Sequence, residues 1–107
     1  MKTNTTPLKV AIVLPIFNVE KFLPECLDSI LNQTYNNYTV FAINDGSTDQ
    51  STTILQAYAS RDKRIFIVRQ PNKGLAAARN HALSLIESDS SFDFVAFVDS
   101  DDVLVQK

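Results

Sequence analysis

Four short apolar runs, separated by stretches of helical periodicity, restrict this chain to few folds. "KVAIVLPIF" (9–17), "YTVFAIN" (38–44), "RIFIVRQ" (64–70) and "FVAFV" (94–98) are rich in β-branched and aromatic residues. The first two are continuous rather than alternating, as strands covered on both faces of a parallel sheet require. Between the first two, Val19, Phe22, Leu23, Cys26, Leu27, Ile30 and Leu31 recur in steps of three and one, which is a helix face. Asn18 is a candidate N-cap, and Pro24 belongs in the first turn, where a missing N–H does least harm. Gly46 permits a tight turn, and Ser47, Thr48 or Asp49 can cap a second helix, which carries Ile54, Leu55 and Tyr58 to about Ser60. A third helix, Leu75 to Glu87, has Leu75, Ala78, Ala82, Leu85 and Ile86 on one side. The order β-α-β-α-β-α-β implies parallel pairing with right-handed crossovers and helices on both faces, a three-layer α/β/α sandwich.

Composition narrows the function classes. The 107 residues allow one domain with a modest core. A net charge of −2 offers neither a basic stripe for nucleic acid nor a polybasic segment for an acidic membrane. The apolar runs are far too short to cross a bilayer, and "MKTNTTPLK" lacks the apolar core of a signal peptide. A single cysteine, Cys26, excludes an internal disulfide framework, fits a reducing compartment, and lies on the apolar face of the first helix as a core residue. One His and one Cys argue against zinc, so any metal is a hard cation with oxygen ligands. His81 reads as a surface or packing residue of the third helix. With only Gly46 and Gly74, neither a phosphate loop nor a dinucleotide fingerprint can be built.

Polar clusters fall where each strand ends: Asn18, Asp45-Gly46, Asn72-Lys73-Gly74 and Asp99-Ser100-Asp101. That rim is where open α/β sheets bind ligands. In "FVDSDD" (97–102), the carboxylates of Asp99, Asp101 and Asp102 crowd one another. Asp99 and Asp101 project to one side if the strand continues, and could share a divalent cation with a substrate phosphate. The same residues also suit a charged loop with Asx turns. Asp45 could accept an N–H from a pyrimidine ring, or serve only in the turn. Phe17 offers a face for a base to stack on, or belongs to the core. Gly74 opens a helix whose N-terminus attracts anions. Arg79, on its second turn, could reach a diphosphate, pair with an Asp of the cluster, or stay on the surface.

The segments "VAIVLPIFNVEKFLPECLDSILNQTY", "INDGSTDQS", "NKGLAAARNHAL" and "FVDSDD", in this order and spacing, resemble the N-terminal half of glycosyltransferase family 2 over about residues 8–105. The resemblance implies the GT-A fold of nucleotide-diphospho-sugar transferases, with sheet order 3-2-1-4. It implies that Pro15 and Phe17 line a base pocket, with Phe17 where the family often has Tyr, and that Asp45 binds the uracil ring. Asn72 and Arg79 match positions near the base and diphosphate. In the D-x-D motif, Asp99 would contact the ribose or metal and Asp101 would coordinate Mn2+ or Mg2+, with Asp102 a neighbour. The cation would offset the carboxylates' repulsion and stabilise the leaving nucleoside diphosphate.

The implied reaction transfers a sugar from a nucleotide-diphosphate sugar, a UDP-sugar foremost, to an acceptor hydroxyl of a glycan or lipid-linked acceptor, with inversion. Its implied setting is the cytoplasm or the inner face of the membrane, in cell-surface polysaccharide synthesis. Residues 1–8 are expected to be a flexible arm and 9–107 a partial, donor-binding domain lacking the acceptor half and its catalytic base, inactive alone. The fourth strand's outer edge is then expected to be unpaired and open to homodimerisation. Two other readings are a non-catalytic nucleotide-binding module and a signalling receiver. A receiver places acidic residues after its first strand, where this chain has "PIFN".

Overall fold

The computed structural model of the chain describes residues 8–100. Its elements are β1 (Val10–Ile16), α1 (Leu23–Leu31), β2 (Tyr38–Asp45), α2 (Ser51–Arg61), β3 (Ile65–Gln70), α3 (Leu75–Glu87) and β4 (Phe94–Phe97). All strand pairs are parallel, in the order β3-β2-β1-β4. The third helix spans the residues its periodicity indicated, and the strands differ from the apolar runs by a residue at their ends.

Side chains alternate along each strand, so the sheet sorts its residues into two cores. Ile12, Leu14 and Ile16 of β1 join Tyr38, Val40 and Ala42 of β2 beneath Leu23, Cys26, Leu27 and Ile30 of α1 and Leu55 of α2. Ala11 and Val13 join Phe41 and Ile43 beneath Ala78, Ala82 and Ile86 of α3. Two helices cover one face and one covers the other, giving the expected three layers. Each fully buried Leu or Ile contributes about 1.5–3 kcal/mol of transfer free energy. The alanines of α3 let its backbone lie close on the second face.

Pro15 stands in a central strand, where a missing N–H is normally costly. The Val13 carbonyl accepts from the Val98 N–H at 3.0 Å, so odd residues of β1 turn their backbone groups toward β4. Registered pairing with β4 stops at Val13–Phe97, and Pro15 lies beyond it.

The start of α1 departs from the periodic reading. The helix begins at Leu23, its N-cap is Phe22, and Val19 belongs to a preceding turn in which the Val19 carbonyl accepts from the Phe22 and Leu23 N–H groups, both at 2.9 Å. A helix capped by Asn18 would have set Pro24 against the carbonyl of Glu20; starting at Leu23 keeps Pro24 in the first turn. Asn18 is therefore not the cap, and Phe22 is exposed rather than core. Leu75, assigned to the apolar side of α3, is also exposed, because the first turn of α3 overhangs the sheet's end. At the N-terminal side, the Leu8 carbonyl accepts from the Tyr35 hydroxyl and, at 2.9 Å, from Asn37 Nδ2. Among the described residues no helix is long and apolar enough to cross a membrane.

Candidate functional site: a cleft at the carboxyl edge of the sheet

Asp45 is the last residue of β2 and shares the parity of Phe41 and Ile43, so it points to the α3 face. Only 3% of it is exposed. A carboxylate buried this deeply must be met by donors. Oδ1 accepts from Gln70 Nε2 at 2.7 Å and the Lys73 N–H at 2.8 Å. Oδ2 accepts from the Gly74 N–H at 2.9 Å and Asn72 Nδ2 at 3.1 Å. Burial pushes the Asp45 carboxyl up, but the bonds from Gln70, Lys73 and Gly74 outweigh it and hold it below the ordinary carboxylate range. The charge thus ties β2 to the loop that starts α3.

Two glycines make this approach possible. Gly46 has φ +72°, and a Cβ there would lie 2.7 Å from the Asn72 backbone nitrogen. Gly74, the N-cap of α3, has φ +98°, and its carbonyl accepts the Ala78 N–H at 3.0 Å. Both angles belong to the region that favours glycine.

On the other side stands the β1–α1 loop with Phe17. It is latched to the start of α2 by Asn18, whose φ is +49°. Asn18 Oδ1 accepts the Thr48 and Asp49 N–H groups at 2.8 and 3.2 Å. The Val19 N–H donates to Ser51 Oγ at 3.0 Å and the Glu20 N–H to Asp49 Oδ2 at 3.1 Å. Burial raises the Asp49 carboxyl, but hydrogen bonds from Ser51 and Glu20 outweigh it and the group sits below the ordinary range.

Pro15, Phe17, Asp45, Asn72, Gly74 and Leu75 line one cleft of about 410 Å³. Phe17 is 46% exposed, so its ring is a wall of the cleft rather than core. Arg79 follows Ala78 and Asp99 precedes Ser100, and both Ala78 and Ser100 also line the cleft. Arg79 and Asp99 pair, Arg79 Nη2 donating to Asp99 Oδ1 at 3.1 Å, with the guanidinium 6.0 Å from the centre of the Phe97 ring. Arg79 thus meets an Asp of the cluster and does not stand alone on the surface. Both side chains are partly solvated, so the pair contributes at most about 1 kcal/mol. Cys26 Sγ, buried in α1, donates to the Asp99 carbonyl at 3.8 Å. Asp101 and Asp102 lie outside the described residues.

Asp99 offers one carboxylate of the oxygen class that Mg2+ or Mn2+ takes, with its Oδ1 engaged by Arg79. Among the described residues no group of three or more His, Cys, Asp or Glu could hold a metal.

Sequence reasoning missed Leu75 as a wall, Asn18 as a latch, and Gln70 and His81 behind Asp45. His81 Nδ1 lies 2.8 Å from Gln70 Oε1. Gln70 stands directly opposite Asp45 in the β2–β3 register, a pairing that the apolar runs alone do not fix.

A parallel 3-2-1-4 sheet with a polar cleft at its carboxyl edge is the architecture of an open α/β nucleotide-binding domain, and its solved neighbours give it the GT-A fold. The family model for glycosyl transferase family 2 matches residues 11–107, and the chain belongs to that family. Glycosyltransferase GlyA of Streptococcus pneumoniae serotype 4 is 45% identical over 98 residues, 92% of this chain and 14% of that protein. The crystal structure of S. aureus TarS 1–349 in complex with UDP superposes with a TM-score of 0.81 at 30% identity, covering 94% of this chain and 29% of that one. The same protein in complex with UDP-GlcNAc gives 0.78 at 33% identity, covering 90% and 27%. The chain therefore spans under a third of each.

Proposed function

We propose that this chain is the donor-binding half of a metal-dependent glycosyltransferase that takes a nucleotide-diphosphate sugar, a UDP-sugar foremost. The observation that carries the reading is the meeting of Pro15 and Phe17 with Asp45, Asn72 and Gly74 in one cleft. A pyrimidine stacked on Phe17 would gain about 1–3 kcal/mol. Its ring N–H would compete for Asp45 with Asn72 Nδ2, whose bond is the longest of the four at 3.1 Å. The diphosphate would lie toward the N-terminus of α3 and Arg79, and Asp99 and Asp101 would hold the divalent ion. That ion would neutralise the departing nucleoside diphosphate. The S. aureus TarS complexes with UDP and UDP-GlcNAc support the choice of nucleotide.

The acceptor, a hydroxyl of a glycan or lipid-linked acceptor, needs a general base. Asp45 is filled by donors from its own chain and Asp99 is held by Arg79, so neither is placed to take that proton. We further propose that residues 9–107 bind donor at the cytoplasmic side and transfer nothing alone. Isothermal calorimetry with UDP tests this. Binding that needs Mn2+ or Mg2+ and is lost in Phe17→Ala is expected. Tight, metal-indifferent binding would overturn the metal role, and absence of any binding would overturn the reading as a whole.

A further inference from the structure

Behind the cleft, a chain of hydrogen bonds leads from Asp45 to the middle of α3. Gln70 ends β3 opposite Asp45, and its Nε2 donates to Asp45 Oδ1 at 2.7 Å. Its Oε1 meets His81 Nδ1 at 2.8 Å. An ionised carboxylate carries no proton and only accepts, so the Gln70 amide must turn its NH2 toward Asp45. That leaves the amide oxygen facing His81, and an oxygen facing a ring nitrogen requires the nitrogen to carry the proton. The charge on Asp45 thereby selects the Nδ1–H form of His81. Conversely, a ring protonated only on Nε2 would favour a flipped Gln70, whose oxygen would then face the carboxylate.

We propose that Gln70 and His81 are positioning residues: a relay in which the His81 Nδ1–H fixes the Gln70 amide, and the amide fixes the Asp45 carboxylate in the cleft. Three of the four bonds to Asp45 lie at 2.7–2.9 Å, from Gln70, Lys73 and Gly74, and hold it in place. The fourth, from the exposed Asn72, is free to exchange with a ligand. The carboxylate can trade one donor without swinging away because the relay anchors Oδ1. The ligand part of this inference rests on the nucleotide reading of the cleft, whereas the relay rests on geometry alone.

The test uses the 107-residue chain, UDP as probe, and three variants. In His81→Asn, the amide nitrogen stands near the position of Nδ1 and can still donate; His81→Leu and Gln70→Leu cannot. Nitrogen-detected NMR of the His81 ring is expected to show the proton on Nδ1. His81→Leu is expected to shift the Lys73 and Gly74 amide resonances and, with Gln70→Leu, to weaken UDP binding roughly three- to tenfold, the loss of one hydrogen bond's contribution. His81→Asn should restore both within about twofold. A ring protonated on Nε2, or leucine variants that leave the Lys73 and Gly74 amides unmoved, would overturn the relay. If the wild-type chain binds no UDP yet the tautomer and amide shifts appear as described, the relay stands and the nucleotide reading falls. If UDP binds but all variants bind it equally, the reading stands and the relay's bearing on the ligand falls.

Discussion

Asp45 carries its charge almost wholly out of water and loses little by it, because four donors from one neighbouring strand and loop converge on two oxygens. Replacing it with Asn keeps the shape and reverses half the chemistry: an NH2 group would face N–H donors. Leaving such donors unmet costs on the order of 1–3 kcal/mol, so Asp45→Asn should lower the urea midpoint accordingly and weaken UDP binding in calorimetry. The pH dependence has a definite sign. The folded Asp45 carboxyl titrates below its ordinary value of 3.8, so its contribution to stability is fully present above that value and disappears as pH falls through the lower folded one. Asp49 and Asp62 are depressed in the same direction, Asp62 by its hydrogen bonds from Arg64. Wild-type stability should therefore drop below about pH 4, and Asp45→Asn should flatten part of that drop. Asp45 was visible in the sequence as a polar residue at a strand end. Its donors were not, because Gln70 and Gly74 lie 25 and 29 residues away and meet it only through strand register and a loop.

Elements were legible where periodicity had no competitor. α3 runs from Leu75 to Glu87 as its pattern indicated, since nothing in it resists a helix. At α1, the spacing of apolar residues extended back to Val19, and the backbone rule imposed by Pro24 prevailed over it. Asn18, released from capping, adopts a positive φ and clamps the next crossover instead, a role that depends on β1 and β2 ending side by side. The same closeness governs the turn after β2. A methyl group at Gly46 would meet the Asn72 nitrogen at 2.7 Å on a backbone with φ +72°. Gly46→Ala should push the 72–74 loop off Asp45 and cost roughly 1–3 kcal/mol in urea denaturation. A melt indistinguishable from wild type would mean the turn can relax without disturbing the loop.

Across the molecule, the apolar pattern identified four strands, and the family resemblance implied their order and a poorly covered fourth strand. β1 and β2 are buried, whereas Phe94, Val95, Ala96 and Phe97 of β4 are all exposed. Among the described residues β4 pairs with β1 alone, and none of them pairs with its other edge. The other edge, β3, carries Arg69 within the strand, a charge that discourages strand addition, whereas β4 has its charges, Asp93 and Asp99, outside the strand. The Phe94 N–H donates to the carbonyl of Lys9, just before β1, and the Val98 N–H to that of Val13, so the backbone groups of Val95 and Phe97 point outward. A second copy related by a two-fold axis can pair with them antiparallel and join two four-stranded sheets. Sedimentation of the 107-residue chain should then show a concentration-dependent dimer. Val95→Pro removes an outward N–H and no bond to β1, and edge strands tolerate proline, so the variant should remain folded and monomeric. A wild-type chain that stays monomeric at its highest soluble concentration would refute the edge pairing. A dimer that survives Val95→Pro would instead place the contact on the exposed rings of Phe94 and Phe97, which project from the sheet's faces rather than its edge.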